Sequence, residues 1–220
     1  MTPAQELHEA IRVGDEARVN ALLDANPELI HGGGAAGMPP LLLAIYTKRP
    51  MMARLLLNRG AELDVYAAAA MGETEVCRRF IEADDVLLEM ANSDGWTPLH
   101  LACFFGQPAT VEMLLEKGAS PKTRSANAMH NTPLHAAAAS RNAEICALLL
   151  SHGAEVGATQ QAQYTALHSA AANGDIEIVR LLLAHEADAK AKSEKGETPL
   201  DMARQRGHAA VVELLERTSR

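Results

Sequence analysis

One short stretch, Gly95-Trp96-Thr97-Pro98-Leu99-His100-Leu101-Ala102, returns as Asn131-Thr132-Pro133-Leu134-His135-Ala136-Ala137 and as Tyr164-Thr165-Ala166-Leu167-His168-Ser169-Ala170. A fourth copy, Gly196-Glu197-Thr198-Pro199-Leu200-Asp201-Met202-Ala203, closes the series, and the four threonines stand 35, 33 and 33 residues apart. A chain that repeats at this period folds by stacking like units, each burying its apolar face on its neighbours.

Each copy reads as a helix start. Thr at the N-cap accepts a hydrogen bond from a free N–H, and Pro at the first helical position gives up a donor that has no partner there. Three residues after each of the first three Thr, an imidazole can reach back to the cap as a Glu does in a capping box, and the last copy puts Asp201 there. This first helix then ends at Gly106, Gly174 or Gly207, where freedom to take a positive φ is useful. A second apolar helix follows: Val111-Glu112-Met113-Leu114-Leu115, Ile145-Cys146-Ala147-Leu148-Leu149-Leu150, Ile178-Val179-Arg180-Leu181-Leu182-Leu183 and Val211-Val212-Glu213-Leu214-Leu215. Gly118-Ala119 and Gly153-Ala154 stop two of these.

This order of Thr-Pro-Leu-His helix, Gly, second helix and Gly-Ala ending closely resembles the ankyrin repeat family. The resemblance implies an all-α fold, an ankyrin-repeat solenoid of stacked helix-turn-helix pairs with short β-hairpin fingers along one edge. It also implies a binding role.

Working outward from the clear copies gives a single ankyrin repeat domain, 1–220, of about seven repeats: 4–30 (N-terminal cap), 32–61, 63–88 (without a finger), 91–124, 126–158, 160–191 and 193–220 (C-terminal cap). The first repeat is read as lacking the Thr-Pro pair and as rich in charge, which suits a terminal unit with one face in water. In the second, Pro39-Pro40-Leu41-Leu42 fills the Thr-Pro-Leu-His slot, so Leu42 stands where a His bonds elsewhere. The third begins straight after Gly60-Ala61 and leaves no room for a finger. The first and third share a longer exit, Asp24-Ala25-Asn26-Pro27-Glu28-Leu29-Ile30 matching Glu82-Ala83-Asp84-Asp85-Val86-Leu87-Leu88. Arg141 occupies the slot of Gly106 and Glu186 that of Gly118, each costing up to about 1 kcal/mol if held at positive φ.

Composition bounds the function. Hydrophobic residues make 48% of the chain and aromatic ones only 3%, which fits an interior of small side chains between closely approaching helices. The net charge of −8 divides into −6 over 1–90, −4 over 91–189 and +2 over 190–220, the wrong sign for binding nucleic acid. No apolar run is long enough to span a bilayer, and Met1-Thr2-Pro3-Ala4-Gln5-Glu6 lacks the basic start of an export signal. The expected location is the cytoplasm, with no membrane partner. Three cysteines, Cys77, Cys103 and Cys146, are expected as buried, reduced thiols.

Chemistry at the candidate residues follows from geometry. His100, His135 and His168 recur on helices stacked about 8 to 10 Å apart, whereas imidazoles sharing one zinc need Zn–N bonds of about 2.1 Å. They are therefore expected as structural hydrogen bonders, and neither metal nor cofactor is expected. Cys103 falls in a small buried slot, where a thiol is a poor nucleophile. Gly32-Gly33-Gly34 lacks the Gly-Lys-Ser/Thr of a phosphate cradle and reads as a flexible finger. Tyr46, Met71, Phe104 and Phe105 end first helices, and Trp96 and Tyr164 sit just before their Thr, so five of the seven aromatic residues fall where the family varies its contact surface. The core is expected to take chiefly Phe80, with Tyr66 as a second candidate.

The reading is a protein-protein interaction module without catalysis of its own, a monomer when alone. It binds a protein or peptide through its concave groove, with Tyr46, Met71, Trp96, Phe104, Phe105 and Tyr164 as contact residues and a gap beside Trp96 where the third finger is absent. The alternatives are a regulatory or inhibitory subunit of a separately encoded enzyme, or a metal-dependent enzyme using His100, Cys103 or His130.

Overall fold

The computed structural model describes residues 1–32 and 38–218. Within them fourteen α-helices run in seven pairs: α1 (Pro3–Val13) with α2 (Glu16–Ala25), α3 (Pro40–Tyr46) with α4 (Pro50–Asn58), α5 (Val65–Met71) with α6 (Thr74–Ala83), and α7 (Pro98–Phe105) with α8 (Pro108–Glu116). The series continues with α9 (Pro133–Ala139) and α10 (Ala143–Ser151), α11 (Ala166–Asn173) and α12 (Ile176–Ala184), and α13 (Pro199–Gln205) and α14 (Ala209–Thr218). Odd-numbered helices stack one on the next along the whole chain, and even-numbered ones pack closely from α6 to α14. The shared exits of the first and third pairs fold as 3-10 turns, Pro27–Ile30 and Asp85–Leu88. The finger expected at Gly32-Gly33-Gly34 falls largely outside the described residues.

The local chemistry of the repeat produces the stack. Thr97, Thr132, Thr165 and Thr198 are the N-caps of α7, α9, α11 and α13. In each of the first three copies the His Nδ1 lies 2.8–2.9 Å from the Thr hydroxyl. Its Nε2 lies 3.0–3.1 Å from the carbonyl just before the next copy's Thr: Asn131, Tyr164 and Glu197 in turn. One ring thus closes its own cap and clips the following repeat. Backbone N–H groups of Thr132 and Thr165 also donate to Nδ1, so that nitrogen accepts while Nε2–H donates. Asp201 replaces the ring in the last copy and closes the cap alone, accepting from Thr198 Oγ1 at 2.6 Å and from Thr198 N–H at 2.9 Å.

The first pair departs from expectation. Its Thr-Pro is not missing: Thr2 caps α1, Pro3 is its first residue, and Thr2 and Gln5 form a full capping box. The pair escaped notice because α1 runs to 11 residues, against 8 in α7, which moves the cap upstream of the repeat register. Phe80 is also not a core residue but half-buried against the core's edge. The interior is aliphatic, with Leu56, Leu99, Leu114, Ile145 and Leu149 almost wholly enclosed. Cys77, Cys103 and Cys146 are buried and unbonded to one another.

The fingers are tight turns more than β-ladders. Each is closed by a backbone bond across its base, from Asn92 N–H to Trp96 O (2.9 Å), Ser125 to Asn131 (2.8 Å), Gln160 to Tyr164 (2.8 Å) or Ser193 to Glu197 (2.9 Å), with a second turn bond inside it. Neighbouring fingers are joined by Ala126 N–H to Gly95 O, Gln161 to Met129 and Glu194 to Ala162, at 2.8–2.9 Å. Gly95 makes the first join possible: at φ 79° its Cα faces the next finger so closely that a Cβ would lie 2.5 Å from Asn127 N. Between α4 and α5 only residues 59–64 intervene, and Asp64 caps Ala67 N–H directly at 2.7 Å, so no finger forms there.

Candidate partner-binding surface

The first helix of the third pair is an alanine rod. Ala67, Ala68, Ala69 and Ala70 are all buried in α5, which packs between α3 and α7. Because these side chains end at Cβ, the aromatic residues on either side meet over it. Tyr46, the last residue of α3, lies edge-on to Phe105 at the end of α7, with ring centroids 5.5 Å apart and planes at 78°. Phe105 meets Phe104 at 5.2 Å and 89°, and Phe104 meets Trp96 at 5.1 Å and 89°. These spacings and T-shaped angles set the positive edge of one ring on the negative face of the next.

Polar bonds pin both ends of this four-ring row. Tyr46 Oη donates to Asp94 Oδ2 at 3.0 Å, and burial together with the adjacent carboxylate raises the phenol's pKa, so it stays a donor. Trp96 is held by its finger, its backbone N–H donating to Asn92 Oδ1 at 2.9 Å. All four rings remain half-buried, each keeping part of its surface in solvent.

Met71 stands beside Phe105 on the wall of one cleft. Tyr164 is apart from the row: it packs edge-on over His168 at 5.5 Å and its hydroxyl donates to Glu197 Oε2 at 3.3 Å. The structure therefore brings together four of the six expected contact residues, sets Met71 next to them and leaves Tyr164 two repeats away. A cleft of about 500 Å3 does open at the junction without a finger, lined by Leu41, Leu42, Ala61, Asp64, Tyr66 and Met90. Trp96 itself is not among its lining residues, but Asn92 and Ser93 of its own finger are.

The residues of the enzyme alternative have other work. His100 commits both ring nitrogens, and burial lowers its pKa. Burial likewise pushes the His135 imidazole down to about 4 and lowers that of His168. Cys103 is fully enclosed, which raises its thiol well above the ordinary range, and burial lifts Cys77 to about 11 and Cys146 to about 12. Protonated thiols are weak nucleophiles and weak ligands. His130 is exposed on a finger at φ 49°. Among the described residues no three His, Cys, Asp or Glu side chains are placed to share a metal ion, and no helix is long and apolar enough to cross a membrane.

Sequence reasoning missed Lys48. It sits at φ 54° in the turn between α3 and α4, the slot that Gly106 fills between α7 and α8. The signal was present, since Lys48-Arg49-Pro50 has the spacing of Gly106-Gln107-Pro108.

Family models described as ankyrin repeats match residues 65–160 (three copies) and 149–203 (many copies). Among curated proteins, the Caenorhabditis elegans transient receptor potential cation channel subfamily A member 1 homolog is 35% identical over 100 residues, 46% of this chain and 8% of that protein. Rat ankyrin repeat and SAM domain-containing protein 6 is 34% identical over 104 residues, 47% of this chain and 12% of its own length. Human ankyrin repeat and SAM domain-containing protein 3 is 38% identical over 58 residues, 26% of this chain and 9% of its own. The chain thus matches about a tenth of each relative's length.

Proposed function

The chain belongs to the ankyrin repeat family, whose repeats are generally protein-protein interaction modules, and on that premise we propose that it binds a protein or peptide partner through the groove formed by its first helices and fingers. Trp96, Phe104 and Phe105 are the centre of the contact, with Tyr46 and Met71 beside them and Tyr164 at its far edge. The single observation that carries this reading is the row of four half-buried rings across α5. A chain with seven aromatic residues in 220 sets four of them in mutual contact at the surface. Anchors of this kind dominate protein interfaces, and truncating the strongest typically costs about 2 kcal/mol of affinity or more.

Catalysis of its own has no place in this reading, and the partner acts or is acted upon while held. Three free thiols suit a reducing compartment, which favours the cytoplasm.

The test is Trp96→Ala and Phe104→Ala, singly and together, measured for melting temperature and for affinity to a partner purified from the source cells. Affinity lost with melting little changed supports the groove. Full affinity in the double variant, or a collapse in melting temperature with affinity per folded molecule unchanged, assigns the rings to internal packing.

A further inference from the structure

The stretch from residue 29 to 61 carries Lys48, Arg49, Arg54 and Arg59 and not one carboxylate, in a chain with 28 acidic residues against 20 basic ones. Three of these cations rim one cleft of about 390 Å3 on the turn side of the second to fourth pairs. Its floor is apolar: Ile45, Ala53 and Ala70 are buried, and Met71 and Phe105 are half-buried. Gln107 forms one wall and is fixed by a 3.0 Å bond from its side-chain amide to Ala70 O. Glu73 is the one acid on the rim, which leaves the rim with a formal charge of +2 from three cations and one carboxylate.

Among the described residues none of these three cations forms an ion pair, a state they share with exposed cations such as Arg180, Lys192 and Arg206. Elsewhere Arg59 pairs with Asp24, Arg78 with Glu75, Lys117 with Glu82 and Arg141 with Asp175. Among the described residues the side chains of Lys48 and Arg54 have no hydrogen-bonded or ionic partner, and Arg49 donates only to the Arg12 carbonyl at 2.7 Å. The comparison with Arg141 is direct. Both it and Lys48 replace the turn glycine at positive φ, but Arg141 is held by Asp175 at 2.7 Å from the next pair. Glu73 is the residue equivalent to Asp175, and it makes no bond to Lys48. Lys48 therefore holds a conformation that L-residues rarely adopt on the turn's backbone bonds alone, Lys48 N–H to Ile45 O and Arg49 N–H to Ala44 O. It lacks the side-chain partner that Arg141 has, and strain of this kind collects at binding sites.

We propose that this cleft docks an acidic segment of the partner protein, one apolar side chain filling the floor over Ala53, Ala70 and Phe105 while flanking carboxylates meet Lys48 and Arg54. This rests on the reading of the protein as a binding module and adds the chemistry of what it binds. Phe105 belongs both to this floor and to the four-ring row, so the cleft extends the groove's contact around the end of α7.

The probe is a fluorescein-labelled peptide, Asp-Glu-Asp-Leu-Phe-Asp-Glu-Asp, titrated by anisotropy against the full chain. Wild type binds it and loses affinity as salt rises. Lys48→Glu with Arg54→Glu weakens it by about tenfold or more. Glu73→Gln strengthens it. Both cations are exposed, so melting should stay near wild type; if the double variant fails to fold, Arg54→Gln alone serves. The proposal is overturned if wild type does not bind, if the charge-reversed variant binds equally, or if Lys122→Glu weakens binding as much. It is also overturned if a probe with Ser for Leu and Phe binds as well, if single-stranded DNA of equal charge competes as strongly, or if sedimentation shows a second copy of the chain filling the cleft. Failure of the groove reading looks different, appearing as partner affinity that ignores Trp96→Ala and Phe104→Ala.

Discussion

The C-terminal four helix pairs and the N-terminal three are built from one repeat but held in different ways. From α7 onward three imidazoles clip one repeat to the next and the fingers are joined through their backbones. Before α7 the position of the clip holds Leu42 in the second pair and Ala67 in the third, and no finger separates α4 from α5. What spans that junction is the row of rings over the alanine rod, together with the two clefts. The lesson is that the polar clips which make the later repeats regular also occupy the finger edge, while their absence leaves side chains and cavities open to a partner.

Acid should separate the two halves most strongly. Burial holds the His135 imidazole at about 4, below its ordinary 6.5. The unfolded chain therefore takes up protons first, and stability present above pH 6.5 is lost as pH falls towards 4, by about 3 kcal/mol from this group alone. His100 and His168 act in the same direction, as does His8 in α1, also through burial. Hydrogen exchange between pH 7 and 4.5 should show α9 and α11 losing protection ahead of α3 and α5; equal loss would remove the distinction.

The finger contacts give the next effect. Gly95→Ala is expected to cost about 3 kcal/mol, combining a left-handed φ with a clash against backbone. Gly60 has an equally left-handed φ of 96° but open space around any added Cβ, so Gly60→Ala should cost only about 1 kcal/mol. Equal denaturant midpoints for the two variants would show that the joined fingers contribute nothing.

His135→Ala should cost about 2 kcal/mol because the cap N–H and the Tyr164 carbonyl lose a partner while staying buried. Leu42→His, in the half built without clips, and His152→Ala, on an exposed turn, should each stay within about 0.5 kcal/mol. If His135→Ala and His152→Ala melt alike, the clip is not structural.

The smallest effects lie in the turn slot. Lys48→Gly should stabilise by up to about 1 kcal/mol through relief of the positive φ. Arg141→Gly should bring no gain, since it strips the partner from Asp175, whose other carboxylate oxygen is already buried without one. A gain from both would mean that the Arg141 ion pair does not offset its backbone.

Much of this architecture can be read from the chain itself because its determinants are local. A Thr, a Pro and an imidazole three residues on decide a cap within one helical turn, and Leu-Leu runs and turn residues mark where each second helix starts and stops. Even exceptions were legible: Arg141 and Glu186 stand at φ 62° and 66°, in the slots where the repeat pattern asks for glycine. Lys48 carried the same signal in the same spacing. The Thr2-Pro3 cap hid because α1 is longer than its counterparts, which sets the cap upstream of the repeat register.

The candidate surface is another matter. Tyr46, Phe104, Phe105 and Trp96 each stood at a contact position in the sequence, but nothing local joins Tyr46 to a ring 59 positions away. That contact exists because four alanines let α3 and α7 approach α5 closely enough for rings on either side to touch above it. The basic cleft arises in the same way, from turns of three successive pairs brought to one rim. Caps and turns depend on neighbours along the chain, so the sequence by itself determined them. Ring contact and cleft depend on distances between helices, which only the stacked tertiary structure decides.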